Sequence, residues 1–391
     1  MSVRRVICAI SGGVDSAVSA LLLKRRGFDV VGVHMTNWDP QDEASDSSSC
    51  PQSEDLTDSE KLCAFLGIKL HIVNFVKQYW NDVFINFVDN CSFGRTIVPD
   101  VGCNKKIKFD LLRKVAFEEL GADALATGHF ARTSQGDFLE NHLAVPNKIK
   151  LLRAKDALKD QTYFLSSLCH SQLDRVMFPV GSLYKSEVRA LALSEGLDFF
   201  ANKKESTGIC FIGRKRKFSQ FIGQYIDDNG GPLADIETGE IFPDIQHKGI
   251  HNFTIGKRLR RDNCSGSMNA LLPHGDALYV ADIDPLSRTV FLCSGNTHPK
   301  LFAKRVLVSS PSWLSDDPPA ERLVRNALSC VFQRIILPIP CTLQTHGNDD
   351  RFFEVGFGSP LRATATGQLC VFYDNNECLG SAQIESVLET L

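Results

Sequence analysis

The sequence predicts an α/β protein in three parts: a Rossmann-like parallel-sheet domain, a small central domain and a C-terminal β-barrel. Three observations carry that expectation. Short apolar runs alternate with helical stretches up to about residue 200. A Gly-rich, mixed stretch with basic clusters follows, and from about Ala277 short strand-like runs are separated by turn residues. The expected division is 1–200, 201–283 and 284–391, since a single core seldom grows past roughly 250–300 residues.

Val3–Ile10 is a short apolar run that reads as a buried strand. Ser11-Gly12-Gly13-Val14-Asp15-Ser16 leads from it into an Ala/Leu-rich helix over Ala17–Arg26, and Val30–Met35 is a second buried strand. Asp39–Ser59 is acidic and Ser-rich, so an exposed loop is expected there, with a helix over Glu60–Leu66. Lys69–Val73 and Ala124–Thr127 are the third and fourth strands, with helical stretches at Tyr79–Asn90 and Lys105–Leu120. Strands alternating with helices imply a parallel sheet covered on both faces. Later, Ala277–Asp282 and Thr289–Cys293 flank Asp284-Pro285, and Leu369–Tyr373 and Cys378–Ile384 flank Asp374-Asn375-Asn376. That spacing is the basis for the barrel.

Hydrophobic content of 43% and charged content of 23% are ordinary for a globular chain. No apolar run approaches the roughly 20 residues that span a bilayer, so no membrane partner is expected. The net charge of −3 argues neither for nor against nucleic acid, for which a local basic face matters more. The thirteen cysteines contain no CxxC pair, which argues against a zinc ribbon or a thioredoxin-type site. Their odd number fits poorly with a disulfide framework; most read as small buried hydrophobes in a reducing compartment. No metal site is expected: His247 and His251 stand at i, i+4 without a third ligand nearby. The residues before Ser11 are needed for the first strand, so no secretory signal is expected, and Arg4 and Arg5 are a weak organelle-import cue.

The loop between first strand and first helix carries the chemistry. A helix N-terminus presents unpaired N–H groups and partial positive charge to a phosphate. Gly12 and Gly13 let the backbone approach an anion, Ser11 and Ser16 add hydroxyls, and the Lys of a Walker A loop is absent. A Gly-rich turn without ligand is the plain alternative for a bare Gly-Gly. The full motif resembles the phosphate loop of PP-loop ATP pyrophosphatases, which release pyrophosphate from ATP while adenylating a substrate. That resemblance implies ATP and Mg²⁺ as cofactors, with Asp15 at the phosphates helping to hold the metal. Alone, the motif leaves amide-forming synthetases, lysidine synthetase and several tRNA thiolases open.

Two cysteine contexts narrow the choice. The run from Gly94 to Lys105, through Val98-Pro99-Asp100 and Cys103, and the run from Glu205 to Gly213 around Cys210 resemble the two catalytic segments of the 2-thiouridylase family. His34–Trp38, Tyr79–Phe84, Ala126–His129, Lys159–Leu165, Phe253–Arg258 and Ala365–Gln368 extend the resemblance over nearly the whole chain. It implies that Cys210 accepts sulfur from a persulfide donor protein and that Cys103 releases it, leaving a Cys103–Cys210 disulfide. Independently, Cys103 stands just before an expected helix whose dipole would lower its thiol pKa, and Lys203 and Lys204 precede Cys210. Asp100 is the candidate general acid/base, with a loop-capping carboxylate as the alternative.

The resemblance further implies that Met35 and Gly128 hold the adenine and ribose end of ATP through their backbones. It implies that Val98, Pro99, His129, Lys159, Asp160, Gln161, Arg334 and Gln368 contact the anticodon region of tRNA. Read alone, His129 is equally a satisfied core histidine. The basic runs Arg214–Lys217 and Lys257–Arg261 are either phosphate contacts or solvated faces. Departures from the family pattern are Val98 for the usual Asn, Lys257 for Gln, Leu259–Ser265 for a Gly-rich loop, Thr366 for Pro, and a Ser-rich insertion near Asp42–Ser49. The resemblance is closer to the organellar branch, in Val6–Ser16 and His247-Lys248-Gly249, so a mitochondrial location is expected ahead of a cytoplasmic one. The family's usual targets are the tRNAs for Lys, Glu and Gln.

Overall fold

The computed structural model describes residues 3–38, 51–142, 149–204, 221–226, 230–266, 277–309, 311–315, 328–332, 337–347 and 349–391. The first part is built on strands β1 (Arg5–Ala9), β2 (Asp29–Thr36), β3 (Lys69–Asn74) and β4 (Ala124–Ala126). The short strands β5 (Arg132–Thr133), β6 (Leu151–Leu152) and β7 (Val176–Met177) follow. The sheet order is β3-β2-β1-β4-β7, with every pairing parallel. Val6, Ile7 and Cys8 of β1 are fully buried, as a central parallel strand covered on both faces requires. The chain leaves β1 towards β2 on one side and returns to β4 on the other, so the crevice between the ends of β1 and β4 is the topological switch point where such sheets take ligands.

Helices fill the crossovers, and four begin earlier than expected, the one expected from Tyr79 starting at Val76. The first runs over Val14–Arg25 and starts within the phosphate loop. The second runs over Pro51–Leu66 rather than from Glu60. The helix expected from Lys105 occupies 99–119. The last two starts place a proline at the first helical position, where its fixed φ suits the turn and its missing N–H goes unneeded. Helix 76–92 contains a π-helical turn at Trp80–Phe84, and helix 99–119 contains two, at Cys103–Leu111 and Val115–Glu119.

The central sheet comprises β8 (Gly231–Asp235), β9 (Ile241–His247), β10 (Cys264–Gly266), β11 (Leu278–Asp284) and β12 (Thr289–Ser294), in the order β10-β9-β8-β12-β11. The β11–β12 hairpin straddles the expected division at residue 284. Its second arm pairs in parallel with β8, Val290 opposite Leu233, so both arms belong to the central sheet rather than to the barrel.

The barrel is formed by β13 (Phe302–Ser309), β15 (Ser329–Val331), β16 (Ile339–His346), β17 (Asp349–Arg362), β18 (Leu369–Asp374) and β19 (Glu377–Thr390). The order β13-β17-β16-β15-β18-β19 is closed by antiparallel pairing of β19 with β13, which removes the free edges. The two-residue strand β14 (Ser312–Trp313) pairs with β19, and β6 from the first part joins β19 as well, Leu151 opposite Cys378. One apolar core is shared across that junction: Phe109, Leu151 and Phe178 pack in the same cluster as Val371, Tyr373 and Cys378. Among the described residues, no helix is long and apolar enough to cross a membrane.

Candidate active site

Ser11–Ser16 forms a preorganised loop at the end of β1. The Ser11 N–H donates to Ser16 Oγ at 3.2 Å, the two hydroxyls lie 3.2 Å apart, and Ser16 Oγ donates to the Gly13 carbonyl at 3.0 Å. Gly13 caps the helix with extended backbone and no side-chain cap, which leaves the first-turn N–H groups facing outward. Gly12 has φ +73, and a Cβ there would stand 2.7 Å from the Asp55 carbonyl oxygen. At Gly128, just past β4, a Cβ would stand 2.7 Å from the Ser16 nitrogen, so no larger residue permits that approach. Met35 lies near the end of β2, half-buried. Met35 and Gly128 therefore flank the loop from the two strands beside β1.

Two lysines converge on this loop: Lys185, which sequence reasoning did not single out, and Lys203, which it read only as a charge beside Cys210. Lys185 Nζ contacts both carboxylate oxygens of Asp15, at 2.6 and 2.8 Å, and its residue is 9% exposed. Lys203 Nζ donates to the Gly12 carbonyl at 3.0 Å, to Asp55 at 2.8 Å and to Asp58 at 2.6 Å. Burial opposes the Lys203 charge, yet Asp55 and Asp58 hold its pKa above the ordinary lysine value. One local signal existed for Lys185. It opens the helix Lys185–Ser194, and a cation is disfavoured at a helix N-terminus unless something else holds it.

Asp100, Cys103 and Asn104 share one face of helix 99–119. Cys103 is 5% exposed and unpaired with any other described cysteine. Its thiol is pushed up to about 11 by burial, with Lys108 acting in the opposite sense and Asp100 adding to the rise. This corrects the expectation of a dipole-lowered thiol. The helix starts at Pro99, so Cys103 lies in its second turn, beyond the terminal N–H groups, and loses solvent instead. Burial likewise raises the Asp100 carboxyl above the usual carboxylate range. His129 is 9% exposed; its Nδ1 lies 2.8 Å from Thr127 Oγ1 and its ring packs against Phe109 and Phe178. Burial, then Lys108, hold it well below the ordinary histidine value.

The remaining expected contacts divide. Val98 and Pro99 line a pocket of about 190 Å³ together with Asn86, Asn90, Tyr163 and Gln383. Asp160 accepts from Arg153 at 2.9 Å, from the Ala154 N–H at 3.0 Å and from the Thr162 hydroxyl at 2.9 Å. Gln161 is bound to the Phe130 backbone at 2.9 Å in both directions. The N–H of Lys159 closes a turn on Asp156, and Gln368 Oε1 accepts from the Ala365 N–H. Side chains of Asp160, Gln161 and Gln368 thus hold local backbone. Lys257, Arg258, Arg260 and Arg261 are exposed. His247 is buried and bound to the Arg288 carbonyl at 2.7 Å, and no group of three metal-ligating side chains occurs among the described residues. Cys210, Arg334 and Arg214–Lys217 lie outside the described residues.

The barrel grips the cysteine segment. The Thr96 N–H donates to the Thr366 carbonyl at 2.8 Å, and Arg95 pairs with Glu385 at 2.7 Å. On the far side, Phe221 and Tyr225 pack among Trp38, Trp80 and Phe84.

Three family profiles match the chain in succession. They are described as a tRNA methyl transferase HUP domain over residues 4–214, a tRNA methyl transferase PRC-barrel domain over 219–294, and an aminomethyltransferase beta-barrel domain over 303–384. A probable mitochondrial tRNA-specific 2-thiouridylase 1 of Caenorhabditis elegans is 46% identical over 99% of this chain and 100% of its own length. The mitochondrial tRNA-specific 2-thiouridylase 1 of Homo sapiens is 40% identical over 98% and 90% respectively. The tRNA-specific 2-thiouridylase MnmA of Idiomarina loihiensis is 39% identical over 98% and 96%. With end-to-end similarity of this degree, a phosphate loop at the switch point and a half-buried Asp100 one helical turn before the buried Cys103, the chain belongs to the tRNA-specific 2-thiouridylase family.

Proposed function

We propose that the protein is a mitochondrial ATP-dependent sulfurtransferase that converts the wobble uridine of tRNAs for Lys, Glu and Gln to 2-thiouridine. One observation carries this reading: two successive residues join the phosphate loop to the cysteine helix. Gly128 lies against Ser16 of the loop, and the ring of His129 lies 5.8 Å from Phe109 of helix 99–119. Nucleotide activation and sulfur chemistry are thereby coupled through a short rigid connection.

The C2 oxygen of uracil is a poor leaving group. Its attack on the α-phosphate of ATP expels pyrophosphate and leaves an adenylate, from which AMP departs when sulfur adds to C2. The loop N–H groups and the Lys185 and Lys203 ammonium groups suit the pyrophosphate end. Asp15 fits Mg²⁺, which takes one or two carboxylates together with phosphate oxygens; the metal would offset phosphate charge. Met35 and Gly128 would hold the nucleoside end through their backbones. The pocket beside Val98 and Pro99 is of a size for one extruded base, and its amide side chains offer donors and acceptors for a base edge. Asp100, with its raised carboxyl, suits proton transfer at the uracil edge.

Sulfur would arrive as a persulfide on Cys210 from a donor protein. Attack by the Cys103 thiolate on that persulfide releases hydrosulfide for C2 and leaves a Cys103–Cys210 disulfide, which a reductant must open before the next turnover. His129, Lys159, Asp160, Gln161, Arg334 and Gln368 complete the proposed tRNA surface, several of them by shaping its backbone. The test is nucleoside mass spectrometry of unmodified tRNA-Lys incubated with the protein, ATP, Mg²⁺ and a sulfide source. Replacement of one oxygen by sulfur at the wobble uridine, with AMP released, is the expected result. AMP without sulfur exchange on adding a persulfide donor would overturn the assignment in favour of another adenylation substrate.

A further inference from the structure

We propose that Lys108 is the charge partner of Cys103, a positioning cation beside which the thiolate forms during the sulfur transfer proposed above. The inference rests on that reading for its biological meaning, though not for its test. Its basis is the π-helical stretch Cys103–Leu111. In an α-helix, residue i+5 stands about 140° around the axis from residue i. Lys108 would then point away from Cys103. The wider i→i+5 turn brings position 108 back over position 103, and such turns recur at functional sites.

Burial and pairing agree with this placement. Lys108 is half-buried, and among the described residues no carboxylate lies within ion-pair distance of it. Three separate groups nonetheless register its ammonium: it draws down Asp100 and Cys103 and pushes His129 further down. A single half-buried cation therefore serves the carboxyl, the thiol and the imidazole of the site together. Elements packed against the π-helical stretch include helix 76–92, Thr162–Leu165 and His170–Leu173. They bring Lys77, Asp82, Asp89 and His170, yet among the described residues the charges that bear on Cys103 are those of Lys108 and Asp100.

The chemistry needs such a charge. A buried neutral thiol is a weak nucleophile, and the thiolate is the reactive form. In the transfer step Cys103 loses its proton to the Asp100 carboxylate and thence to water. The thiolate attacks the inner sulfur of a persulfide, the sulfur–sulfur bond breaks and hydrosulfide leaves. One disulfide bond forms as the persulfide bond is lost, so no outside oxidant is required. Negative charge passes from one sulfur to another, and a fixed ammonium beside the attacking Cys103 thiolate favours its formation by electrostatic preorganisation.

The test is the pH profile of Cys103 alkylation by iodoacetamide in the full-length protein, followed by peptide mass spectrometry without ATP or tRNA. In Lys108→Met the midpoint should move to higher pH, with the rate at pH 8.5 about tenfold lower. Lys108→Arg should stay close to the wild type. Lys108→Gln replaces the Met variant if circular dichroism shows that the latter is unfolded. An unchanged midpoint in a folded, uncharged variant would overturn the inference even if the enzyme thiolates tRNA. A shifted midpoint in a protein that thiolates nothing would uphold Lys108 and sink the function proposed above.

Discussion

Asp15 sets the electrostatic problem of the nucleotide site at the scale of single residues. A carboxylate at the mouth of a phosphate loop repels the ligand unless a cation neutralises it, and Lys185 does so with both oxygens in contact. Hydrogen bonds to charged groups contribute about 1.5–3 kcal/mol. Lys185→Met should therefore weaken ATP binding by roughly 10- to 100-fold, measured by calorimetric titration with Mg²⁺ present; unchanged affinity would refute that role. His129 makes a different prediction. The unfolded chain protonates this ring near pH 6.5, whereas burial holds the folded form well below that. Stability is then complete above about pH 6.5 and is lost as pH falls beneath it. Melting temperatures from pH 8 to 5.5 should fall more steeply for the wild type than for His129→Gln. The phosphate loop was legible because strand, Gly-Gly turn and helix are contiguous in sequence. Lys185 and Lys203 pair with residues 170 and 191 positions away, and no local spacing encodes such contacts.

Helix boundaries decide what a side chain can do at the scale of elements. The sequence reading began the cysteine helix at Lys105 and gave Cys103 a helix-terminal thiol; the real start at Pro99 puts it inside, where desolvation dominates. Pro99 is the local signal for that start, since proline is favoured as the first helical residue. The π-helical turns were not legible, because hydrophobic periodicity does not separate 3.6 from a wider turn over so short a span. The same helix depends on the barrel through Arg95–Glu385, a pair about one-quarter exposed on each side. Glu385→Gln should lower stability by about 1–2 kcal/mol and reduce the thiolation rate while ATP affinity stays constant. Denaturant midpoints and single-turnover kinetics test this, and a loss of ATP affinity would place the effect elsewhere.

The three sheets differ in how openly the sequence declares them at the scale of the whole molecule. The parallel sheet follows from alternating apolar runs and helices. The barrel follows from regular turn residues, but the same signal wrongly drew the β11–β12 hairpin towards it, since only the register of β12 on β8 assigns that hairpin. The central part also carries the exposed run from Lys257 to Arg261. Replacing Arg258, Arg260 and Arg261 by Ala should weaken tRNA binding and reduce the slope of log affinity against log salt by about 2–3. Filter binding over a range of KCl would show this, and parallel lines for variant and wild type would remove those arginines from the interface. The two anchors around the second cysteine have a consequence of their own. Lys203 is fastened to Gly12, Asp55 and Asp58, and Phe221 is buried among Trp38 and Phe84. Cys210 is seven positions from the first anchor, so chain length alone keeps its Cα within about 25 Å of Lys203. Confined to a sphere of that radius, one thiol has a local concentration on the order of tens of millimolar. On the function proposed above, the second sulfur would be supplied by tethering, and its encounter with Cys103 would not become rarer as the enzyme is diluted.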